Sequence, residues 1–389
     1  MRVRGLAPIV LSFFLACGDG GVEEEAVPDA LTRPEPDPAR MAGWRCAGRD
    51  WTHSGVFPGD AAAPPVECWR LATGGTTFAW PVAAPGIAVA ADEAGHVVAA
   101  DPATGEERWR ADLGEPVRGA PALTDGAVYL SLGRGAVVSL DRITGEVRWR
   151  VELAGPCDVG PTPYGNFLYV PDESGALFAL DNLTGGVVWV YAAPSPILSH
   201  PTVDERCVYF ASQDGVVSAL DRRTGEGVWS VRVEGRAYGG VTLAGAALYI
   251  AARSGQLAAL NPADGALLAQ TTLGQPPVGL PVVTGGVVVL AHDGAKIAAL
   301  SVGDMTELWQ VGLGDYPGGG AAVVGGTVVC PTWFGTLRGY DLNDGSKLWE
   351  VKLGGMCDAP PVGDDEGRML VLRRDGVLIC FKISTEVPA

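Results

Sequence analysis

Two Cys-Asp pairs are the first residues in this sequence whose types suggest chemistry. Cys157-Asp158 and Cys357-Asp358 stand 200 residues apart, and His200 lies between them. Cys, Asp and His side chains are common metal ligands, so a metal centre is one interpretation. A polar binding site without a metal is a second interpretation, and it takes in an Arg and a Tyr at matching positions. The candidate site comprises Arg118, Asp158, His200, Tyr238 and Asp358.

Four of these five residues occupy the same position of a repeat whose step is 40 residues. The most regular residue of the repeat is a tryptophan, which occurs at seven of eight successive steps and is replaced by Ala269 at the other. An Asp-x-x-Thr-Gly segment precedes the Trp in most units, with Asn261 and Ser301 as departures from the Asp. A fixed period in the forties is typical of a propeller of β-rich units. The repeated tryptophans are Trp69, Trp109, Trp149, Trp189, Trp229, Trp309 and Trp349.

Each repeat unit contains four short runs rich in β-branched residues, separated by Gly or Pro turns, as in residues 117–156. The Trp lies on the fourth, outermost run and can wedge between neighbouring blades. Trp69 stands one step before the first full unit, and Gly376–Phe381 is a third strand with no partner after it. The sequence therefore predicts an all-β, eight-bladed β-propeller of four-stranded antiparallel blades over residues 66–389. Its last blade is closed by the N- and C-terminal strands.

The connectors between blades and the turns between second and third strands are expected on one face, around the mouth of the central channel. The candidate polar residues lie in or beside the connectors, so they are expected to line that mouth. Trp333 lies in one of the turns, where an exposed aromatic side chain would be a partner anchor. In the simpler interpretation Trp333 packs on a neighbouring loop, the polar residues satisfy local backbone groups, and Cys157 and Cys357 are free thiols. Ligands spread around a ring rarely converge, which favours that interpretation for the polar residues.

The units resemble the repeat of the pyrroloquinoline-quinone-type propellers, through the motif Ala-Leu-Asp-x-x-Thr-Gly-x-x-x-Trp. The opening Trp44…Gly48-Arg49-Asp50-x-x-His53-x-Gly55 is similar to the lead-in of many bacterial proteins of this group. The resemblance covers residues 44–389 and implies an eight-bladed propeller.

Two branches of that group imply different functions. Quinone-dependent dehydrogenases are longer, and the alcohol-type ones carry adjacent Cys residues and calcium ligands on long loops. The lipoprotein of the outer-membrane barrel-assembly machine is non-enzymatic. This chain has no Cys-Cys pair, and its strict step leaves no room for long insertions. The resemblance therefore favours the second branch, with no catalytic residues, cofactor or metal.

The first 17 residues are typical of an export signal. Arg2 and Arg4 precede an apolar run, Gly5–Ala16, that is too short to span a bilayer. Cys17 follows a small Ala, as at the cleavage site of bacterial lipoproteins, and this predicts a lipidated Cys17. An ordinary secretory signal is the alternative.

Two segments separate the signal from the propeller. Residues 18–43 are acidic and Pro-rich with little to bury, so they are predicted to form a disordered, mobile tether. Residues 44–65 are predicted to form an arm that packs on the propeller through Trp44 and Trp51. An exported chain can form disulfides, and Cys46 and Cys68, which flank this segment, are the candidate pair.

The net charge of −17 indicates a protein that repels nucleic acid and anionic headgroups. Gly-rich phosphate loops and common catalytic motifs are absent from the sequence. We therefore expect a non-catalytic, monomeric lipoprotein, exported to the envelope of a Gram-negative bacterium, most simply its outer membrane. Its partners would be other envelope proteins and, through the lipid, the membrane. The alternative is an enzyme related to the quinone dehydrogenases, or a metal-binding propeller.

Overall fold

The computed structural model describes residues 28–37, 41, 45–47 and 49–383, and they form the predicted eight-bladed propeller. Seven sheets have four strands and one has a fifth. Hydrophobic clusters lie between neighbouring blades, so the core is a ring of blade-to-blade contacts. No helix of the described part is long and apolar enough to cross a membrane.

The strands of the first four blades run antiparallel from the channel outward. Their bounds are Val82–Ala84, Ile87–Ala91, His96–Ala100 and Glu107–Asp112 in blade 1; Ala122–Leu123, Ala127–Ser131, Ala136–Asp141 and Val147–Glu152 in blade 2; Thr162–Tyr164, Phe167–Pro171, Ala176–Asp181 and Val187–Ala192 in blade 3; and Thr202–Val203, Cys207–Ala211, Val216–Asp221 and Gly227–Arg232 in blade 4.

The remaining blades follow the same order, and blade 8 takes its outermost strand from the N-terminal part of the chain. Their bounds are Ala237–Ala244, Ala247–Ala252, Gln256–Leu260 and Leu267–Thr272 in blade 5; Pro277–Thr284, Val287–His292, Lys296–Ser301 and Glu307–Gly312 in blade 6; Ala322–Val324, Thr327–Pro331, Thr336–Asp341 and Lys347–Lys352 in blade 7; and Val362–Gly363, Arg368–Leu372, Val377–Lys382 and Val66–Ala72 in blade 8.

The closure of the ring is the predicted one. Val66–Ala72 pairs antiparallel with Val377–Lys382, and Trp69 lies opposite Cys380. The N-terminal and C-terminal strands thus complete one sheet, and their register shifts once, between Glu67 and Trp69.

The repeated tryptophans wedge between blades as predicted. The indole of Trp109 lies against Gly145 of the next blade, where a Cβ atom would come within 2.6 Å of the ring. Its Nε1 donates to the carbonyl of Arg142 at 2.9 Å. Gly145 also has φ +76°, which L side chains rarely adopt. Two independent constraints therefore require glycine at this turn position.

The Asp of the repeat organises the same turn. The Oδ1 atom of Asp141 accepts hydrogen bonds from the backbone N–H groups of Ile143 and Thr144, at 2.8 and 2.9 Å. A hydrogen bond from Arg148, followed by those backbone bonds, lowers the pKa of Asp141 to about 2. The turn that holds the glycine under the indole is thus fixed by a carboxylate.

The arm crosses the face opposite the connectors, which we call the arm face. Val56–Phe57 pairs in parallel with the innermost strand of blade 7 as a fifth strand. Trp51 accepts a hydrogen bond at its carbonyl from Val203 N, and its ring meets Tyr164 edge-on at 5.6 Å. Packing of the arm through Trp51 agrees with the prediction, whereas Trp44 lies outside the described residues.

The prediction of a mobile tether is wrong for residues 28–37, which are packed on blades 3 and 4. A short helix, Asp29–Thr32, buries Ala30. Arg33 contacts Asp181 at 3.2 Å, and Glu35 contacts both Arg222 and Arg223 at 2.7 Å. Composition indicated little to bury, but charged partners on the propeller hold this segment instead. The rest of the predicted tether, apart from Met41, lies outside the described residues, as does the predicted signal with Cys17.

The candidate disulfide between Cys46 and Cys68 is also wrong, since both thiols are free. Cys46 is buried in the cluster between blades 2 and 3, beside Ala122 and Tyr129. Cys68 is exposed on the outermost strand of blade 8. The arm therefore carries the two cysteines to different parts of the ring, although they are near each other in sequence.

Removing one indole wedge should destabilise the ring strongly. We expect Trp109→Ala to lower the free energy of unfolding by about 3–5 kcal/mol, because a large buried ring and its hydrogen bond are lost. Urea denaturation followed by circular dichroism measures this. The control Ile143→Ala, at a residue 81% exposed, should cost less than about 0.5 kcal/mol. Similar losses for the two variants would contradict the wedge.

Candidate functional site

Arg118 and Asp158, which occupy matching positions in successive connectors, form an ion pair on the connector face. Arg118 Nη1 lies 3.2 Å from Asp158 Oδ2, and its Nε lies 3.2 Å from Glu93 Oε1. Nearby, burial and then the charge of Asp158 raise the pKa of Glu173. The result is a charged ridge over blades 1 to 3. Its ion pairs are half-exposed, so each contributes less than about 1 kcal/mol to stability.

Asp358 belongs to a second group. Its Oδ2 lies 3.5 Å from Arg374 Nη1, and burial raises its pKa while Arg374 opposes that shift. The guanidinium of Arg374 also lies over two aromatic rings, 4.3 Å from the Phe78 centroid and 5.2 Å from that of Trp333. This group spans blades 7, 8 and 1, and no contact joins it to Arg118 or Asp158 among the described residues.

Trp333 is half-buried beneath Arg374 rather than exposed at the turn tip. Its backbone N–H donates to the carbonyl of Tyr316 at 2.8 Å. The exposed aromatic residues here are Phe334, 73% exposed, and Tyr316, 60% exposed. Of the two interpretations of Trp333, packing on a neighbouring loop agrees with the structure and exposure at the turn tip does not. The repeat pattern does not specify which of two adjacent turn residues faces solvent.

His200 lies in the central channel rather than on the rim. Its ring stacks on Trp80 at 5.4 Å and meets His53 edge-on at 5.8 Å. His53 comes from the arm and is fully buried, with its Nδ1 3.0 Å from the carbonyl of Val241 and 2.9 Å from Thr202 Oγ1. The arm thus inserts an imidazole into the channel from one end.

The space left in the channel is small. A cavity of about 20 Å³ lies between His53, Trp80 and the Leu280 region, and this is room for a single water molecule. His53 Nε2 is buried without a protein hydrogen-bond partner. A water in this cavity would satisfy that nitrogen.

Of the remaining candidate residues, Tyr238, Cys157 and Cys357, none whose side chain the structure describes joins either charged group. Tyr238 lies on the innermost strand of blade 5, and its side chain is outside what the structure describes. Cys157 and Cys357 are buried thiols, and burial raises the pKa of each to about 12. They are therefore protonated and poor nucleophiles or metal ligands. No three His, Cys, Asp or Glu side chains of the described part are grouped to hold a metal ion.

Comparison with known families identifies the family to which the chain belongs. A family model described as outer membrane protein assembly factor BamB matches residues 61–154, 133–236, 213–329 and 293–386. These matches span nearly the whole ring. The chain belongs to this family. No curated protein matches the sequence significantly.

The BamB family shares its fold with enzymes. The crystal structure of BamB from Moraxella catarrhalis has a TM-score of 0.72 at 22% identity, covering 82% of this chain and 100% of that chain. Quinohemoprotein alcohol dehydrogenase from Comamonas testosteroni has a TM-score of 0.77 at 16% identity, covering 93% of this chain and 84% of that chain. At these identities the likenesses establish the eight-bladed fold alone.

The channel of this BamB-family chain does not fit a quinone cofactor. Sites for small molecules are roughly 300 Å³ or larger, whereas the cavity lined by His53 and Trp80 measures about 20 Å³. The described part also has no grouped acidic side chains for the accompanying metal ion.

Protonation of His53 should loosen the arm. Burial, opposed by the carbonyl of Val241 and the charge of Asp50, lowers the pKa of His53 below its usual 6.5. The folded state then binds fewer protons than the unfolded chain just below pH 6.5. The free energy of unfolding is thus unaffected by His53 protonation above pH 6.5. It decreases as the pH falls from 6.5 towards the lowered pKa of His53. We expect His53→Asn, which suits the φ of +58° at this position, to flatten the dependence of unfolding free energy on pH between 8 and 5.

Urea titrations at several pH values measure this slope. The control Phe334→Asn, on an exposed residue of the other face, should keep the wild-type slope. Equal slopes for His53→Asn and wild type would show that His53 does not titrate on unfolding.

Proposed function

We propose that the protein is a non-catalytic, lipid-anchored scaffold of the bacterial envelope that binds other envelope proteins during outer-membrane protein assembly. Membership of the family described as outer membrane protein assembly factor BamB supports this role. The closed channel and the protonated thiols support a role without catalysis. The net charge of −17 argues against nucleic acid as a partner. We propose that the protein acts as a monomer.

The observation that carries the proposal is an aromatic patch on the connector face. It surrounds the stack of Arg374 on Trp333 and Phe78, across blades 7, 8 and 1. Large exposed apolar side chains beside an Arg are the composition of a binding hot spot. The exposed members of the aromatic patch are Phe78, Tyr316, Phe334 and Met356.

The arm face is already occupied by the chain itself. Residues 28–37 and the arm cover parts of blades 2 to 5, 7 and 8 there. A lipid on Cys17 would lie 11 residues before this docked segment and would hold the arm face towards the membrane. The connector face, with the aromatic patch, would then point towards partners.

The alternative is an enzyme related to the quinone dehydrogenases, and the fold likeness to quinohemoprotein alcohol dehydrogenase favours it. Titration with pyrroloquinoline quinone and calcium, followed by a dye-reduction assay, distinguishes the two. Dye reduction with an alcohol or sugar substrate would replace the scaffold with this alternative.

Truncation of the aromatic patch should weaken partner binding. We expect Phe334→Ala combined with Trp333→Ala to lose captured envelope proteins, with a loss of about 2 kcal/mol or more in affinity. Pull-down from envelope extract, with captured proteins identified by mass spectrometry, measures this. Ile143→Ala, on the opposite face of blade 2, should capture the wild-type set. Undiminished capture by the double variant would rule out the aromatic patch as the anchor.

The lipid anchor has its own test. We expect wild-type protein expressed in a Gram-negative host to incorporate a palmitate label and to sediment with outer membranes. Cys17→Ala should lose the label and appear in the periplasmic fraction. A Cys68→Ala control should behave as wild type, and label retained in Cys17→Ala would exclude this cysteine.

A further inference from the structure

Seven junctions between blades hold an indole in the same way. In each, the Nε1 of the Trp donates to a backbone carbonyl at 2.6–3.3 Å, six times 33 residues further on and once to Ala61 of the arm. In blades 2 to 4 a Tyr of the second strand donates to the same carbonyl, as Tyr129 and Trp149 both do to Asn182. The junction is thus an aromatic slot with a fixed acceptor.

The junction between blades 5 and 6 has lost both its Trp and its Gly. Ala269 stands at the Trp position, and Met305 stands at the position of the turn glycine. Met305 keeps a φ of +59° and is buried in the cluster with Tyr249 and Ala259. The carbonyl equivalent to the acceptor is that of Val302, and no side chain of the described part donates to it. The slot therefore retains an acceptor and lacks its donor.

A cleft remains at this junction. Its volume is about 440 Å³, within the range of small-molecule sites. The walls are almost wholly apolar and small, and include Ala247, Ala259, Ala269, Val283 and Gly303. Val302, Tyr249 and Thr284 also line it, so the apolar wall contains two hydroxyl-bearing side chains beside the residue that carries the acceptor carbonyl. Met305 is not among the lining residues and does not block the cleft.

We propose that this cleft is a binding site for an indole ring, which lies between blades 5 and 6 and donates its N–H to the Val302 carbonyl. The ring would cover the small side chains that the missing Trp leaves bare. Enclosed apolar cavities take up aromatic molecules from water, and this more open cleft offers a ring apolar surface of the same chemical character. The volume of about 440 Å³ is that of a small-molecule site, so we take free indole as the ligand. Occupation by a Trp side chain is the outcome that the test below distinguishes from it.

Titration calorimetry with full-length protein tests the site. We expect free indole to bind with a dissociation constant on the order of 1 mM or below. 1-Methylindole, which cannot donate a hydrogen bond, should bind about 3- to 10-fold more weakly. N-acetyltryptophanamide serves as the stand-in for a Trp residue. Binding of indole alone identifies a small-molecule site, and binding of both identifies a site for a Trp side chain. Binding of neither below roughly 10 mM overturns the proposal.

Filling the cleft locates the site. Ala269→Trp with Met305→Gly restores the Trp and Gly pair of the other junctions, and it should abolish indole binding. Gly303→Leu is a second variant, because a Cβ atom at Gly303 would meet only Ser301 Oγ, at 3.9 Å, and the backbone is unstrained. Ile143→Trp, an exposed change on blade 2, is the control and should bind indole as wild type does. Wild-type binding in a folded cleft-filling variant overturns the proposal.

Discussion

The contact between each indole ring and the glycine of the following blade is the interaction on which the ring depends. Only a residue without a Cβ atom fits under Trp109, and only a glycine readily adopts the backbone angle that the turn requires at Gly145. The Asp141 carboxylate holds that turn in place. Trp and Gly therefore occur together at six junctions, and the turn carries an Asp at five of them and Asn261 at the sixth. Where the Trp is absent, at Ala269, the glycine is absent too, and Met305 takes its position.

The N-terminal segment makes the two faces of the ring different. On the arm face it adds a strand to blade 7, forms ion pairs with blades 3 and 4, and inserts His53 into the channel. On the connector face the channel is occupied by Trp80 and His200. The connector face therefore presents a rim of connectors and turns to its surroundings. Such a surface suits the recognition of another protein better than the enclosure of a cofactor.

The sequence predicted those features that repeat. The blades, the wedges and the closure follow from a constant step in Trp, Asp and Gly. Arg118 and Asp158 were expected only to share a face, and their ion pair was not predicted. Features that occur once were missed or misassigned. The docking of Glu35 on Arg222 and Arg223 joins residues nearly 190 positions apart through charge alone. The path of the arm places Cys46 and Cys68 in different parts of the ring. Asp358 forms an ion pair with Arg374, which lies in a turn of the same blade. None of these contacts has a periodic signal.

The composition of blade 8 has a consequence for how the protein is made. Its outermost strand is among the first to be synthesised, and its partner is the last strand of the ring. Residues 66–72 must therefore wait, unpaired, while nearly the whole chain emerges. Contacts of such long sequence separation form slowly, and an unpaired edge can recruit strands of other chains. During its synthesis and folding the protein is thus prone to aggregation until the final strand of the ring pairs with residues 66–72. Factors that shield this edge in the meantime would reduce aggregation.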